Sequence, residues 1–229
     1  MRPAGGGKPH IGDVRLRFHN SGGLADERKR TRYLRRMAQK VDLLALCETG
    51  LDEVAGAEAE RYLKHEPSLR AGMWRWAYHR RNTGLALVVP EGAPITGVRV
   101  RKTGDEELQL MVADMEIRGQ PVRVVVSHGE PGSSVRAKTA FFQAAKRAIQ
   151  RIKQQDLRAG RGGERREVIW MADHNMVMDP AMDEERGTRA PHGDAQATLR
   201  GTVREAEREM CGAQMVDAFR HEHGEEARG

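Results

Sequence analysis

The chain has 229 residues, of which 38% are hydrophobic and 4% aromatic; that is long enough for one buried core and short of the extremes of disordered chains. Net charge is +6, unevenly spread: residues 1–40 carry eleven Lys/Arg against three Asp/Glu, a balance of +8, so the rest sums to −2. Two cysteines exclude a disulfide scaffold, no apolar run approaches the roughly 18 residues of a membrane span, and no secretory apolar segment opens the chain, so a reducing, intracellular compartment, the nucleus included, is expected, with no membrane partner.

In chain order, residues 1–10 read as a flexible arm and 11–229 as a single domain. Val14–Phe18 reads as a short strand. Asp26 is placed to cap a helix running to Lys40, with Tyr33, Leu34, Met37 and Val41 at helical spacing. Its other face carries Arg28, Lys29, Arg32, Arg35 and Arg36, a footprint for a polyanion or a plain solvated face. Val41–Cys47 is a near-continuous apolar run, the pattern of a strand covered on both sides; Cys47 within it reads as a core thiol. A helix over Asp52–His65 follows, stopped by Pro67. Strands are then expected at Met73–His79, Thr83–Val89, Val98–Arg101, Leu108–Ile117 and Val122–His128. Ser133 is expected to cap a long helix to Leu157, a basic glycine loop spans Arg158–Arg166, Val168–Ala172 is a second buried strand, and a last helix covers Thr202–Met210. This order predicts a layered α/β sandwich with mixed sheets.

Polar motifs stand at the ends of the apolar runs. Glu48-Thr49 ends the second strand, where an unpaired carboxylate needs a cation, a donor or water. Asp173-His174-Asn175 ends the buried strand: two same-facing groups able to orient a water and hold a phosphate, or an Asx-turn. Asn20 precedes Ser21-Gly22-Gly23, whose glycines permit close backbone approach and positive φ. His128 ends the Val124-Val125-Val126-Ser127 run and is a candidate donor to a phosphate if other groups join it.

Together these motifs resemble the endonuclease/exonuclease/phosphatase superfamily. Asn20-Ser21-Gly22-Gly23-Leu24 is similar to its N-x-N-G-L opening, Leu46-Cys47-Glu48-Thr49 to its Q-E-T, and Ser127-His128 to its Thr-His strand end. Ala172-Asp173-His174-Asn175 is similar to G-D-F-N, and Asp217-Ala218-Phe219-Arg220 to D-x-x-R. The resemblance covers residues 12–221 and implies a DNase I-like α/β sandwich of two mixed β-sheets flanked by helices. It implies that Glu48 and Asn20 bind Mg²⁺ or Mn²⁺, that Asp173 activates water, that Asn175 holds the water or phosphate, and that His128 contacts the phosphate. It implies a metal-dependent phosphodiesterase, most like the DNA endonuclease of non-LTR retrotransposons and the apurinic/apyrimidinic endonucleases, with DNA as partner. The basic helix Arg28–Arg36 and the Arg161–Arg166 loop would supply phosphate contacts if they face the cleft.

The chain departs from the pattern at Gly22, which replaces the second Asn, and after Arg220, where the family's final Asp-His pair has no counterpart. The resemblance therefore implies a domain incomplete at its C-terminus, lacking its last strands, with an unpaired sheet edge and low activity or marginal stability. A non-catalytic nucleic-acid-binding remnant and a small-molecule or lipid phosphoesterase are the alternatives.

Overall fold

A computed structural model describes residues 14–37, 41–51, 53–65, 73–77, 84–103, 108–129, 134–160, 166–173 and 194–211. The expected arm at 1–10, the residues Asn175, Asp217 and Arg220, and the loop positions 161–165 lie outside them.

Among the described residues, eight strands form two four-stranded sheets. The first has the order β1 (Leu16–Asn20), β2 (Leu43–Cys47), β4 (Leu85–Val89), β3 (Met73–Ala77). Its β1–β2 pair is parallel and its other two pairs are antiparallel. The second has the order β5 (Ile95–Arg101), β6 (Leu110–Ile117), β7 (Gln120–His128), β8 (Glu167–Asp173). Here only β7–β8 is parallel. Each parallel pair is joined through a helix: α1 (Glu27–Met37) links β1 to β2, and α3 (Val135–Arg158) links β7 to β8. Two further helices among the described residues are α2 (Glu53–His65) and α4 (Asp194–Cys211). The layered sandwich of two mixed sheets flanked by helices, expected from the motif order, is the architecture the chain forms.

Alternation along the strands divides the core into three layers. Leu43, Ala45 and Cys47 of β2 meet Val122, Val124 and Val126 of β7 between the sheets. The intervening residues Leu44 and Leu46 face outward onto Leu34 and Leu24 beneath α1. Val112 and Val125 face Phe142, Ala145, Ile149 and Ile152 of α3 and Leu199 and Val203 of α4. Each buried leucine contributes about 1.5–3 kcal/mol, so β2, covered on both faces, anchors the first sheet.

Local chemistry sets the element ends. Asp26 caps α1 as expected, its carboxylate accepting from the Lys29 amide at 2.6 Å. The β6–β7 hairpin turns on Arg118 and Gly119, with φ of 51° and 75°. Two left-handed residues in a two-residue loop match the right-handed strand twist.

Four expectations need correction. The α3 cap is Ser134, whose Oγ accepts from Ala137 N–H at 3.2 Å, and not Ser133. β5 begins at Ile95 rather than Val98, because a bulge between Thr96 and Arg99 obscures its period-two pattern. β8 is only partly buried, because among the described residues it is a sheet edge. α4 starts at Asp194, eight residues before the expected Thr202; Gly201 reads as a boundary in sequence but lies inside the helix.

Candidate active site at a shared strand rim

β2 packs over β7 and β1 over β8, with their C-terminal ends at one rim. In both parallel pairs the chain leaves the sheet at that rim, where ligands of α/β folds gather. Asn20 pairs with Cys47 in register, one residue before Glu48, and His128 pairs with Asp173. Asn20 shares the inner face of β1 with Leu16 and Phe18. His128 shares that of β7 with Val124 and Val126, and Asp173 that of β8 with Ile169 and Met171. Four expected site residues, Asn20, Glu48, His128 and Asp173, therefore converge from four strands of two sheets.

Two of them touch. His128 Nε2 lies 3.1 Å from Glu48 Oε1, with the His128 side chain fully buried and that of Glu48 30% exposed. The other ring nitrogen, Nδ1, lies 2.8 Å from Gln109 Oε1. Each ring nitrogen therefore faces a side-chain oxygen, which fixes the orientation of the ring. Gln109 also accepts the His128 backbone N–H through its own carbonyl at 3.2 Å, so one residue fixes both backbone and ring.

The backbone of Glu48 is held in an uncommon conformation, φ 51°, which a non-glycine residue adopts only where its surroundings impose it. Ser21 imposes it. The Ser21 hydroxyl is shared between the Cys47 carbonyl at 2.9 Å and the Glu48 carbonyl at 3.0 Å, and its N–H donates to Cys47 at 3.0 Å. Gly23 N–H adds a second donor to the Glu48 carbonyl at 2.8 Å. Gly22 and Gly23 have φ of 56° and 87°, and a Cβ at either would meet nothing within 4 Å. The expected positive φ is present at both glycines. Asn20 Oδ1 accepts from Gly22 N–H at 3.1 Å, closing an Asx-turn and leaving acceptor capacity on the same oxygen.

Cys47 is buried and free of disulfides. Burial, then the nearby charges of Asp173 and Glu48, push its thiol up to about 12, so it is a core group and not a nucleophile.

The donor set is oxygen only: a Glu carboxylate, an Asp carboxylate and an Asn amide oxygen. Such a set suits a hard divalent cation, and Mg²⁺ in particular takes one or two carboxylates and keeps several waters. Among the described residues no cluster of three or more His, Cys, Asp or Glu is arranged around a metal position.

The expected basic residues divide. Arg28, Lys29, Arg32, Arg35 and Arg36 are all exposed on α1, and Lys29 Nζ reaches the Gly22 carbonyl at 2.8 Å, beside Asn20. Arg166 is not available as a phosphate contact: it lies 2.8 Å from Asp114 in a network with Arg101, Arg123 and Asp156.

Sequence reading missed Ser21 as a clamp, Gln109 as the partner of His128, and that ion network. Gln109 lies outside any motif, and only the register of β6 against β7 brings it to His128.

The fold and site define a two-sheet α/β sandwich with an oxygen-lined rim. No protein-family model matches the chain, and no curated protein matches it. Among solved structures it is similar to a humanized D. rerio TDP2 carrying 14 mutations, at 15% identity and a TM-score of 0.43, over 72% of this chain and 63% of that one. It is also similar to a truncated Caenorhabditis elegans TDP2, at 16% identity and a TM-score of 0.44, over 79% of this chain and 67% of that one. The chain thus spans about two thirds of the length of either.

Proposed function

We propose that the chain is a metal-dependent phosphodiester hydrolase of the endonuclease/exonuclease/phosphatase type, acting on DNA in the manner of the retrotransposon endonucleases. The observation that carries this reading is the convergence of Asn20, Glu48, His128 and Asp173 on one rim, with Glu48 and His128 in contact at 3.1 Å.

Glu48 and Asn20 are the residues that would hold Mg²⁺ or Mn²⁺, which when bound offsets charge growing on the phosphoryl oxygens. Asp173 orients the attacking water and takes its proton. Asn175, two residues on, is assigned to hold that water or a phosphate oxygen through its amide. His128, fixed by Gln109, is assigned to contact a phosphate oxygen, its Nε2 exchanging the Glu48 carboxylate for the phosphate once Glu48 holds the metal. The Glu48 clamp and the buried imidazole are set by backbone and packing before any substrate arrives, so positioning and preorganised charge carry the rate. The exposed cations of α1 begin beside Asn20 and steer a polyanion to the rim. That same basic face favours a second reading, nucleic-acid binding without turnover.

Supercoiled plasmid incubated with the chain and Mg²⁺, beside a Glu48→Ala/Asp173→Ala variant, tests the proposal. Nicking that the variant loses supports hydrolysis at this rim. DNA binding with no nicking by the folded wild-type chain selects the second reading.

A further inference from the structure

α3 carries a charge pattern that stability does not explain. Its 24 residues hold seven Lys/Arg and one acid, Asp156, which is buried in the ion network. Six of the seven cations fall into two groups; the seventh, Lys138, is half-buried near the start of the helix. Lys146 and Lys153 face α4 and pair with Glu205 at 3.2 Å and Glu209 at 3.1 Å. Arg136, Arg147, Arg151 and Arg158 are exposed, and among the described residues no carboxylate engages them.

These four arginines form one stripe. At 100° per residue they and the exposed Gln143 and Gln154 fall within about 80° of arc, over about 33 Å of helix. The opposite face is the buried one, Phe142, Ala145, Ala148, Ile149 and Ile152. Solvated helices normally interleave both signs on their outer face. The first turn of α3 has no acid and holds Arg136, a cation at the positive end of the helix dipole. A row of like charges, with Arg136 unfavourably placed in the first turn and only Arg158 favourably placed in the last, lowers helix stability, and a bound polyanion offsets that repulsion.

We propose that this α3 stripe is a second nucleic-acid-binding surface, engaging the phosphate backbone without reading bases. Its length is about that of one duplex turn. Arginine and glutamine together supply charge and amide donors to phosphate oxygens. An anionic membrane fits less well, because the apolar face that an interfacial helix would insert is committed to the core. α3 follows the strand that ends in His128, so the stripe starts near the rim and runs away from it along the outside of the second sheet. It lies on the opposite side of the sandwich from α1. The inference stands on charge placement and does not depend on hydrolysis.

The test is fluorescence anisotropy of a labelled duplex of about 30 base pairs, without divalent metal, across a salt series. Each phosphate contact adds about 0.9 to the slope of log affinity against log salt. The R136Q/R147Q/R151Q/R158Q variant is expected to lose about 3 to 4 of that slope and to bind at least tenfold more weakly at about 0.15 M salt. The matching Arg→Lys variant is expected to keep the slope. Should circular dichroism show the fourfold Gln variant unfolded, R147Q/R151Q replaces it, with about 2 units of slope expected to go. An unchanged slope in the Gln variant, absence of wild-type binding, or binding to anionic vesicles alone overturns the proposal. Plasmid nicking measured in parallel separates the two readings: nicking with an unchanged slope sinks only the α3 surface, and slope loss without nicking sinks only hydrolysis.

Discussion

His128 Nε2 meets Glu48 Oε1 at 3.1 Å across the gap between the two sheets, with the imidazole fully buried and the carboxylate partly open to solvent. The pair ties the rim together and leaves Glu48 with capacity for a cation. Glu48→Gln keeps the shape and removes the charge. It is expected to retain the fold by circular dichroism and to lower Mg²⁺-dependent plasmid nicking by about 100-fold or more. Nicking within threefold of wild type would remove Glu48 from the site.

Gln109 acts through His128 and is a positioning residue. Gln109→Leu removes the Oε1 contact at the buried Nδ1, which costs about 1–3 kcal/mol of stability. The turnover rate is expected to fall about 10- to 100-fold with KM little changed, as for other residues that orient a catalytic group. Gln109→Glu, which keeps an acceptor, is expected to restore most of the loss. A Leu variant with normal turnover contradicts the assignment.

The ion network beneath α3 makes the fold acid-sensitive. Burial raises the Asp114 and Asp156 carboxyls, but hydrogen bonds from Arg123 and Arg101 outweigh it and hold both below the usual carboxylate range. A carboxyl lowered in the folded state binds its proton more weakly there than in the unfolded chain. The stabilisation is therefore complete above the ordinary aspartate value and declines as pH falls through the lowered folded-state values. Urea midpoints are expected to drop from about pH 4 downward. Asp156→Asn is expected to flatten that decline and to cost about 3–5 kcal/mol at neutral pH, since two buried guanidiniums lose a counter-charge. An Asp156→Asn protein with the wild-type acid profile would show that the network does not govern acid stability.

Gly23 needs its conformation rather than its space. Its φ of 87° is costly for an L side chain, although a Cβ there meets nothing within 4 Å. Gly23→Ala is expected to lose about 1–2 kcal/mol in chemical denaturation. Because Gly23 N–H holds the Glu48 carbonyl, turnover is expected to fall with it. Equal stability of Gly23→Ala and wild type would count against backbone strain as the reason for glycine.

Local patterns were enough for most elements. The continuous apolar run before Glu48 announced a doubly covered strand, and β2 is one. Asp26 announced its helix, and the stripe of Tyr33, Leu34 and Met37 its buried side. These features depend on neighbours within a turn or two, so a short window contains their cause. Edge strands were harder. β8 is as apolar in sequence as β2 yet only partly buried, because edge position depends on pairing with distant strands and not on composition.

The sequence by itself determined the residue types of the site and their position at strand ends: Asn20, Glu48, His128 and Asp173 each stand at the end of a strand-like run. Only the tertiary structure decided which of them meet. Contact between Glu48 and His128 spans 80 residues of chain; it requires that one parallel pair of strands stack over the other. The capture of His128 by Gln109, and of Arg166 by Asp114 and Asp156, required strand register. A side chain's chemistry is local, but its partner is chosen by sheet order and packing, and those are properties of the whole chain.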